Sequence, residues 1–180
     1  MRGAEAVIVP VEFLGKKVLK KERRKKGYRI NEIDFELRIG RTRREARLLH
    51  KAKLAGVSCP TVYEVGEDYI IMDKIEGGKL SETPKELKAA GEILGKLHAA
   101  GIIHGDFTPY NLIVNPKGIC AIDFGLGSFS KKTEAQADDV ITMLRGIEKK
   151  KHFLAGYGKF PGSKEVIARI ERIESRARYR

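Results

Sequence analysis

The segment from His104 to Gly125 constrains this chain more than any other. It reads His104-Gly105-Asp106-Phe107-Thr108-Pro109-Tyr110-Asn111, then an apolar stretch, then Asp123-Phe124-Gly125. The apolar stretch breaks at the turn Asn115-Pro116-Lys117-Gly118, so Leu112-Ile113-Val114 and Ile119-Cys120-Ala121-Ile122 are predicted to pair as a short hairpin. The first strand then delivers Asn111 and the second delivers Asp123. Any fold that accepts this segment must bring two aspartates and an asparagine to one place. Oxygen ligands of that kind suit Mg²⁺, which usually keeps several waters and needs few protein ligands. With Asn111 and Asp123 as those ligands, Asp106 is left to orient an attacking oxygen, which completes the parts list for phosphoryl transfer.

The spacing H-x-D-x-x-x-x-N followed by D-F-G is that of a kinase catalytic loop and its metal triplet. Asp106 is the candidate catalytic base. A loop aspartate making a turn would explain Asp106 alone, but not His104 and Asn111 at their fixed offsets. Asp123 and Asn111 are the candidate Mg²⁺ ligands. His104 is expected to hold the loop rather than to exchange protons. Such a site also needs a strand lysine paired with a helix glutamate. Val18-Leu19-Lys20 resembles the end of V-A-I-K, and strand alternation puts Val18 and Lys20 on one face. Lys20 is therefore preferred over Lys21, with Glu45 as its partner. Met72-Asp73-Lys74-Ile75 sits where the chain should meet adenine, through main-chain groups of Asp73 and Ile75.

The predicted elements follow the same order. Val7, Val9 and Val11 alternate, and Gly15 turns the chain between two strands within residues 6–21. Thr42-Arg43-Arg44-Glu45 reads as a capping box that starts a helix, and Gly56 suits its end. A hairpin is expected around Gly66-Glu67-Asp68. Thr83-Pro84-Lys85-Glu86 reads as another capping box, with proline at the first helical position, and opens a second helix with Leu87, Ala90, Leu94 and Leu97 as its buried stripe. Helices are also expected near 134–150 and 163–178. The fold class is α+β: a two-lobed minimal protein-kinase-like fold. Residues 1–75 form a β-rich N-lobe and residues 76–180 a truncated helical C-lobe, joined at Glu76-Gly77-Gly78.

No apolar run approaches the roughly 20 residues needed to span a bilayer, and Met1-Arg2-Gly3-Ala4-Glu5 does not read as a signal peptide. Cys59 and Cys120 lack metal-ligand spacing and read as buried thiols of a cytoplasmic protein. The chain of 180 residues carries 36 Lys and Arg against 24 Asp and Glu, a net charge of +12. The surplus is clustered, which points to a polyanionic partner. The nucleic-acid candidates are Arg23, Arg24, Lys25, Lys26, and the C-terminal Arg176, Arg178 and Arg180.

Three features depart from a standard protein kinase. There is no G-x-G-x-x-G, and only Gly3-Ala4-Glu5-Ala6 stands where a phosphate-covering loop would be. Gly105 replaces the arginine that usually precedes the catalytic aspartate. No A-P-E follows D-F-G, so the platform for protein substrates is largely missing. A small-molecule phosphotransferase of the aminoglycoside or choline type shares the His-Gly-Asp-x-x-x-x-Asn pattern, but needs a larger helical lobe after D-F-G. A catalytically silent tRNA-binding scaffold would have no need of Lys20, Asp106, Asn111 and Asp123 together.

With these departures the chain resembles the small atypical kinase subunit of the KEOPS (EKC) complex, of the PRPK type, in its stand-alone archaeal form. The residues carrying the resemblance are Gly3-Ala4-Glu5-Ala6, Lys26-Gly27-Tyr28-Arg29 with Asp34, Arg41-Thr42, Glu45-Ala46-Arg47, Gly56-Val57, His104-Gly105-Asp106 with Thr108 and Asn111, and Asp123-Phe124-Gly125-Leu126-Gly127. The resemblance implies ATP and Mg²⁺ as cofactors, with Gly3 and Lys20 on the nucleotide and Asp139 bracing the catalytic loop. It implies a role in threonylcarbamoyladenosine modification of tRNA next to the anticodon, with ATP hydrolysis and Ser/Thr autophosphorylation. It also implies two protein partners, the threonylcarbamoyltransferase subunit and a cystatin-like subunit on the N-lobe. Here the family's Arg-Gly-Arg tail is Arg176-Ala177-Arg178.

Overall fold

The computed structural model describes residues 6–178. The alternating valines lie in β1 (Ala6–Phe13), which pairs antiparallel with β2 (Lys16–Arg23). Leu14 and Gly15 both have positive φ, 50° and 74°. That is the backbone a tight two-residue hairpin needs to match strand twist. β3 (Val62–Val65) and β4 (Tyr69–Asp73) form the second hairpin, and the sheet order is β1-β2-β4-β3.

The helix packed on this sheet, α1 (Asn31–Leu54), begins eleven residues before the expected capping box at Thr42. Thr42 is therefore in mid-helix, 1% exposed, and its Oγ1 has no hydrogen-bond partner. Sequence periodicity misses the first turns because their inner face is polar. Asp34 is fully buried; it accepts from Arg38 Nε at 2.9 Å and lies 3.6 Å from Arg29 Nη1. Arg38 in turn meets Asp68 on the β3–β4 turn. Only from Leu48 onward does the face become apolar, with Leu48, Leu49 and Ala52 buried. Gly56 ends the helix with φ 72°, as expected.

β5 (Gly78–Lys79) joins the hairpin of β7 (Leu112–Asn115) and β8 (Gly118–Ala121) in a second sheet. Between them runs α2 (Pro84–Ala99), where the Thr83 hydroxyl accepts from the Glu86 N–H at 3.2 Å. The other half of the expected box is replaced: the Glu86 carboxylate takes the Ser81 N–H and hydroxyl at 2.7 and 2.8 Å. Leu87, Ala90, Leu94 and Leu97 are fully buried. Each leucine contributes about 1.5–3 kcal/mol by leaving water.

β6 (Ile102–Ile103) pairs with β9 (Ser128–Phe129), tying the start of the catalytic loop to the segment after D-F-G. The helix expected at 134–150 is α3 (Thr133–Arg145), which ends five residues early at Gly146, and α4 (Lys150–Tyr157) is an additional helix that was not expected. α5 (Ser163–Arg178) follows. α4 lies hard against α2 because both carry glycine at the crossing. A Cβ on Gly91 would strike the Phe153 carbonyl, and one on Gly156 would strike the Lys88 carbonyl. One buried cluster runs from Leu48 and Ile70 through α2 and Phe107 to Val166 and Ile170. The loops that carry the polar motifs emerge from its edge.

Candidate active site

The loop from His104 to Asn111 is held by its own hydrogen bonds. The Asn111 amide Nδ2 donates to both the main-chain carbonyl and Oδ2 of Asp106, at 2.9 Å each. Committing that nitrogen orients the Asn111 side chain and leaves Oδ1 as its acceptor atom. His104 is fully buried between Phe107 and Phe124, whose ring centroids lie 5.4 and 4.6 Å away. Its Nε2 donates to the Ile122 carbonyl at 3.1 Å, and its Nδ1 accepts from the Asp106 N–H at 3.4 Å. Burial lowers its pKa despite the opposing pull of the Asp139 carboxylate and the Ile122 carbonyl. It is a neutral strut joining the Asp106 loop to the D-F-G strand.

Asp139 on α3 holds the same loop from behind. Its Oδ2 accepts from the His104 N–H at 2.7 Å and its Oδ1 from the Gly105 N–H at 2.8 Å. His98 Nε2 is 3.3 Å from Oδ2, and His98 Nδ1 meets the Tyr157 hydroxyl at 2.8 Å. The bracing role that the resemblance gave Asp139 is therefore present as geometry. Sequence reading missed His98 and Tyr157, which extend the chain of bonds from the loop to α4. Gly105 has φ 80°, and a Cβ there would strike the Leu126 carbonyl, so the position holds glycine for steric reasons.

Asp123 has a φ of 61°, uncommon for a residue with a side chain. Its carboxylate, half-exposed, meets Lys21 of the first sheet across the gap between the two sheets. Oδ1 accepts from Lys21 Nζ at 2.7 Å and from the Gly125 N–H at 3.1 Å. Desolvation works against its charge, but the Lys21 ammonium and these hydrogen bonds outweigh it, and the pKa is lowered.

The lysine that reaches this cleft is Lys21, not Lys20 as expected. Lys21 Nζ also donates to Glu45 Oε1 at 2.5 Å, and Arg23 Nη2 donates to Glu45 Oε2 at 2.5 Å. Lys20 lies 3.2 Å from Glu22, with its ammonium 4.4 Å from the Tyr69 ring centre. β2 pairs without a register shift, so residues 19, 21 and 23 share the face toward α1, while 18 and 20 share the other. Val18 is buried nonetheless, between Val11 and Asp73, so its burial did not report which face was the cleft. The pair Lys21 and Arg23, two residues apart, was the usable signal.

Arg23 was also expected at a nucleic-acid surface, and there the structure corrects the expectation: it is 6% exposed and spent on Glu45. Arg24 and Lys25 are exposed, and Lys26 is half-buried with its N–H on Asp34 at 3.3 Å. Asp73 ends β4; its N–H bonds the Thr61 carbonyl and its carboxylate takes the Thr61 N–H, both at 2.9 Å. Ile75 follows just beyond the strand. Gly3 and Arg180 lie outside the described residues, as do the side chains of Arg176 and Arg178.

A family model described as the RIO domain matches residues 12–145. The chain belongs to the RIO-domain family. Within it the chain is 40% identical to the KEOPS complex subunit Bud32 of Pyrococcus abyssi, over 99% of this chain and 94% of that one. It is equally 40% identical to a probable bifunctional tRNA threonylcarbamoyladenosine biosynthesis protein of Methanothermobacter thermautotrophicus, over 99% of its length. The chain spans only about a third of that relative, 36%. Among solved structures, the Rio2 kinase–ADP/Mg²⁺–phosphoaspartate complex from Chaetomium thermophilum superposes with a TM-score of 0.68 at 15% identity. That match covers 100% of this chain and 70% of the other. The α+β architecture is thus that of a RIO-type kinase fold. No helix among the described residues is long and apolar enough to cross a membrane.

Proposed function

We propose that this RIO-domain chain is an ATP-dependent atypical Ser/Thr kinase and ATPase. It works as a cytoplasmic KEOPS subunit in threonylcarbamoyladenosine modification of tRNA. The observation that carries the reading is a pair of side-chain groups, Lys21–Glu45–Asp123 and Asp106–Asn111, tied together through His104 and through the Ile122 N–H on the Asn111 carbonyl. Residues 1–75 and 76–180 serve as the two lobes, with main-chain groups of Asp73 and Ile75 facing the adenine.

The donor set fits Mg²⁺: a half-exposed Asp123 carboxylate and an Asn111 oxygen oriented by the bonds of its amide nitrogen. A Mg²⁺ ion held by Asp123 and Asn111 would supply positive charge against the phosphate oxygens. Lys21, steadied by Glu45 and already on Asp123 Oδ1, would serve the phosphate oxygens beside it. Asp106 keeps one oxygen on Asn111 and offers the other to the attacking hydroxyl of water or of a Ser/Thr. As the new O–P bond forms, the bond from the γ-phosphorus to the β–γ bridging oxygen breaks and ADP leaves; the proton passes to Asp106.

The names of the relatives support the wider role. The threonylcarbamoyltransferase subunit is the proposed partner beside the catalytic loop, and the cystatin-like subunit the partner on the N-lobe. Arg24, Lys25 and Lys26, with Arg176, Arg178 and Arg180, are the proposed tRNA contacts.

The test is Mg²⁺-dependent ATP turnover by the purified chain, with and without the transferase subunit. Asp123→Ala should abolish turnover. Asp106→Ala should bind nucleotide but lose at least about 100-fold in rate, on the order of 2.7 kcal/mol of barrier. Wild-type rates in both variants would overturn the reading.

A further inference from the structure

Glu45 is served by two cations. Lys21 holds Oε1 and Arg23 holds Oε2, each at 2.5 Å, and the three side chains are only 6%, 6% and 2% exposed respectively for Lys21, Arg23 and Glu45. Lys21 simultaneously contacts Asp123 Oδ1 at 2.7 Å. Two carboxylates and two cations therefore balance at the floor of the cleft. Balance matters there, because stripping one partner from a buried ion pair leaves an uncompensated charge.

Under the proposed nucleotide reading, on which this inference rests, Lys21 must also serve phosphate oxygens. With Lys21 as its sole counter-ion, Glu45 would lose compensation whenever the ammonium moved toward a phosphate. Arg23 removes that conflict. A Cβ placed on Gly125 would lie 3.0 Å from Asp123 Oδ1, 3.3 Å from Lys21 Nζ and 3.5 Å from Arg23 Nη2. The guanidinium thus reaches the edge of the D-F-G triplet while its hydrogen bond stays on Glu45. A guanidinium suits this position because it stays charged at any working pH.

We propose that Arg23 is a positioning residue. It keeps Glu45 neutralised, so that Lys21 can be shared between Asp123 and the phosphates of Mg²⁺–ATP. It acts through Glu45 and does not touch the nucleotide. Without it, Lys21 alone faces two carboxylates and is withheld from the substrate.

The test is a double-mutant cycle between Arg23→Met and Glu45→Gln, reading KM for Mg²⁺–ATP and kcat alongside the unfolding midpoint. Arg23→Met should raise KM about tenfold with a smaller change in kcat, whereas in the Glu45→Gln background it should change KM by less than about twofold. Arg23→Lys should restore KM to within a fewfold of wild type. Should Arg23→Met not fold, Arg23→Gln keeps a donor to Oε2 without the charge and carries the same cycle. A full tenfold effect in the Glu45→Gln background, or no effect of the single substitution, overturns the inference. If instead wild type shows no Mg²⁺–ATP turnover, the nucleotide reading itself has failed, an outcome distinct from an active enzyme without Arg23–Glu45 coupling.

Discussion

Replacing Asp139 with alanine should destabilise the protein more than replacing Asp106 or Asp123, neither of which is buried. The carboxylate accepts three hydrogen bonds, from the His104 and Gly105 N–H groups and from His98 Nε2. Gly105 is exposed and its N–H can turn to water, but His104 and His98 are 0% and 2% exposed. Two buried donors would be orphaned, at about 1–3 kcal/mol each, along with the charge-assisted bond to Gly105. The expected loss for Asp139→Ala is about 3–5 kcal/mol, measured by urea unfolding at neutral pH. For a chain of this size that lowers the melting temperature by about 2–4 °C per kcal/mol. Asp139→Asn keeps one acceptor oxygen but sets an amide N–H₂ against a donor, and should lose about half as much. Stability of Asp139→Ala within about 1 kcal/mol of wild type would refute the reasoning, as would an asparagine variant as damaged as the alanine one.

Lys21→Met should reduce ATP turnover by at least about 100-fold, while Lys20→Met stays within a fewfold of wild type; the opposite ranking would return the role to Lys20. The lowered pKa of His104 gives a pH signature as well. Between its folded pKa and the ordinary value of 6.5, the unfolded chain binds a proton that the buried ring refuses. His104's contribution is therefore complete above 6.5 and is lost as pH falls toward the folded pKa. Unfolding free energies measured across that range should flatten in His104→Gln, and an unchanged slope would show that the ring is not the source.

What could be read from the residues was whatever the core pattern announced. α2 declared itself through Thr83, Pro84 and four apolar residues on one stripe, and every stripe residue is fully buried. The loop and D-F-G residues were legible because their spacing is fixed by the hairpin between them. The first turns of α1 were not, since Asp34, Arg38 and Thr42 occupy the face that apolar residues normally mark. Arg23 was hidden in a run of basic residues that reads as surface, and only Glu45 across the gap explains its burial. α4 was missed because its docking on α2 depends on Gly91 and Gly156, and glycine signals no buried face in a sequence.

The charged inner face of α1 also gives the two ends of that helix different responses to temperature. Exposing apolar surface raises the heat capacity, by about 0.45 cal/mol/K per Å², whereas exposing polar surface lowers it, by about 0.26. Releasing the Asp34–Arg38 end of α1 therefore adds little heat capacity or subtracts some, while releasing α2 with its leucines adds a great deal. Apolar contacts loosen on cooling. The dehydration cost of ion pairs falls on heating. The stabilisation from the α2 leucines therefore fades on cooling, while the Asp34–Arg38 pair costs less to dehydrate on heating.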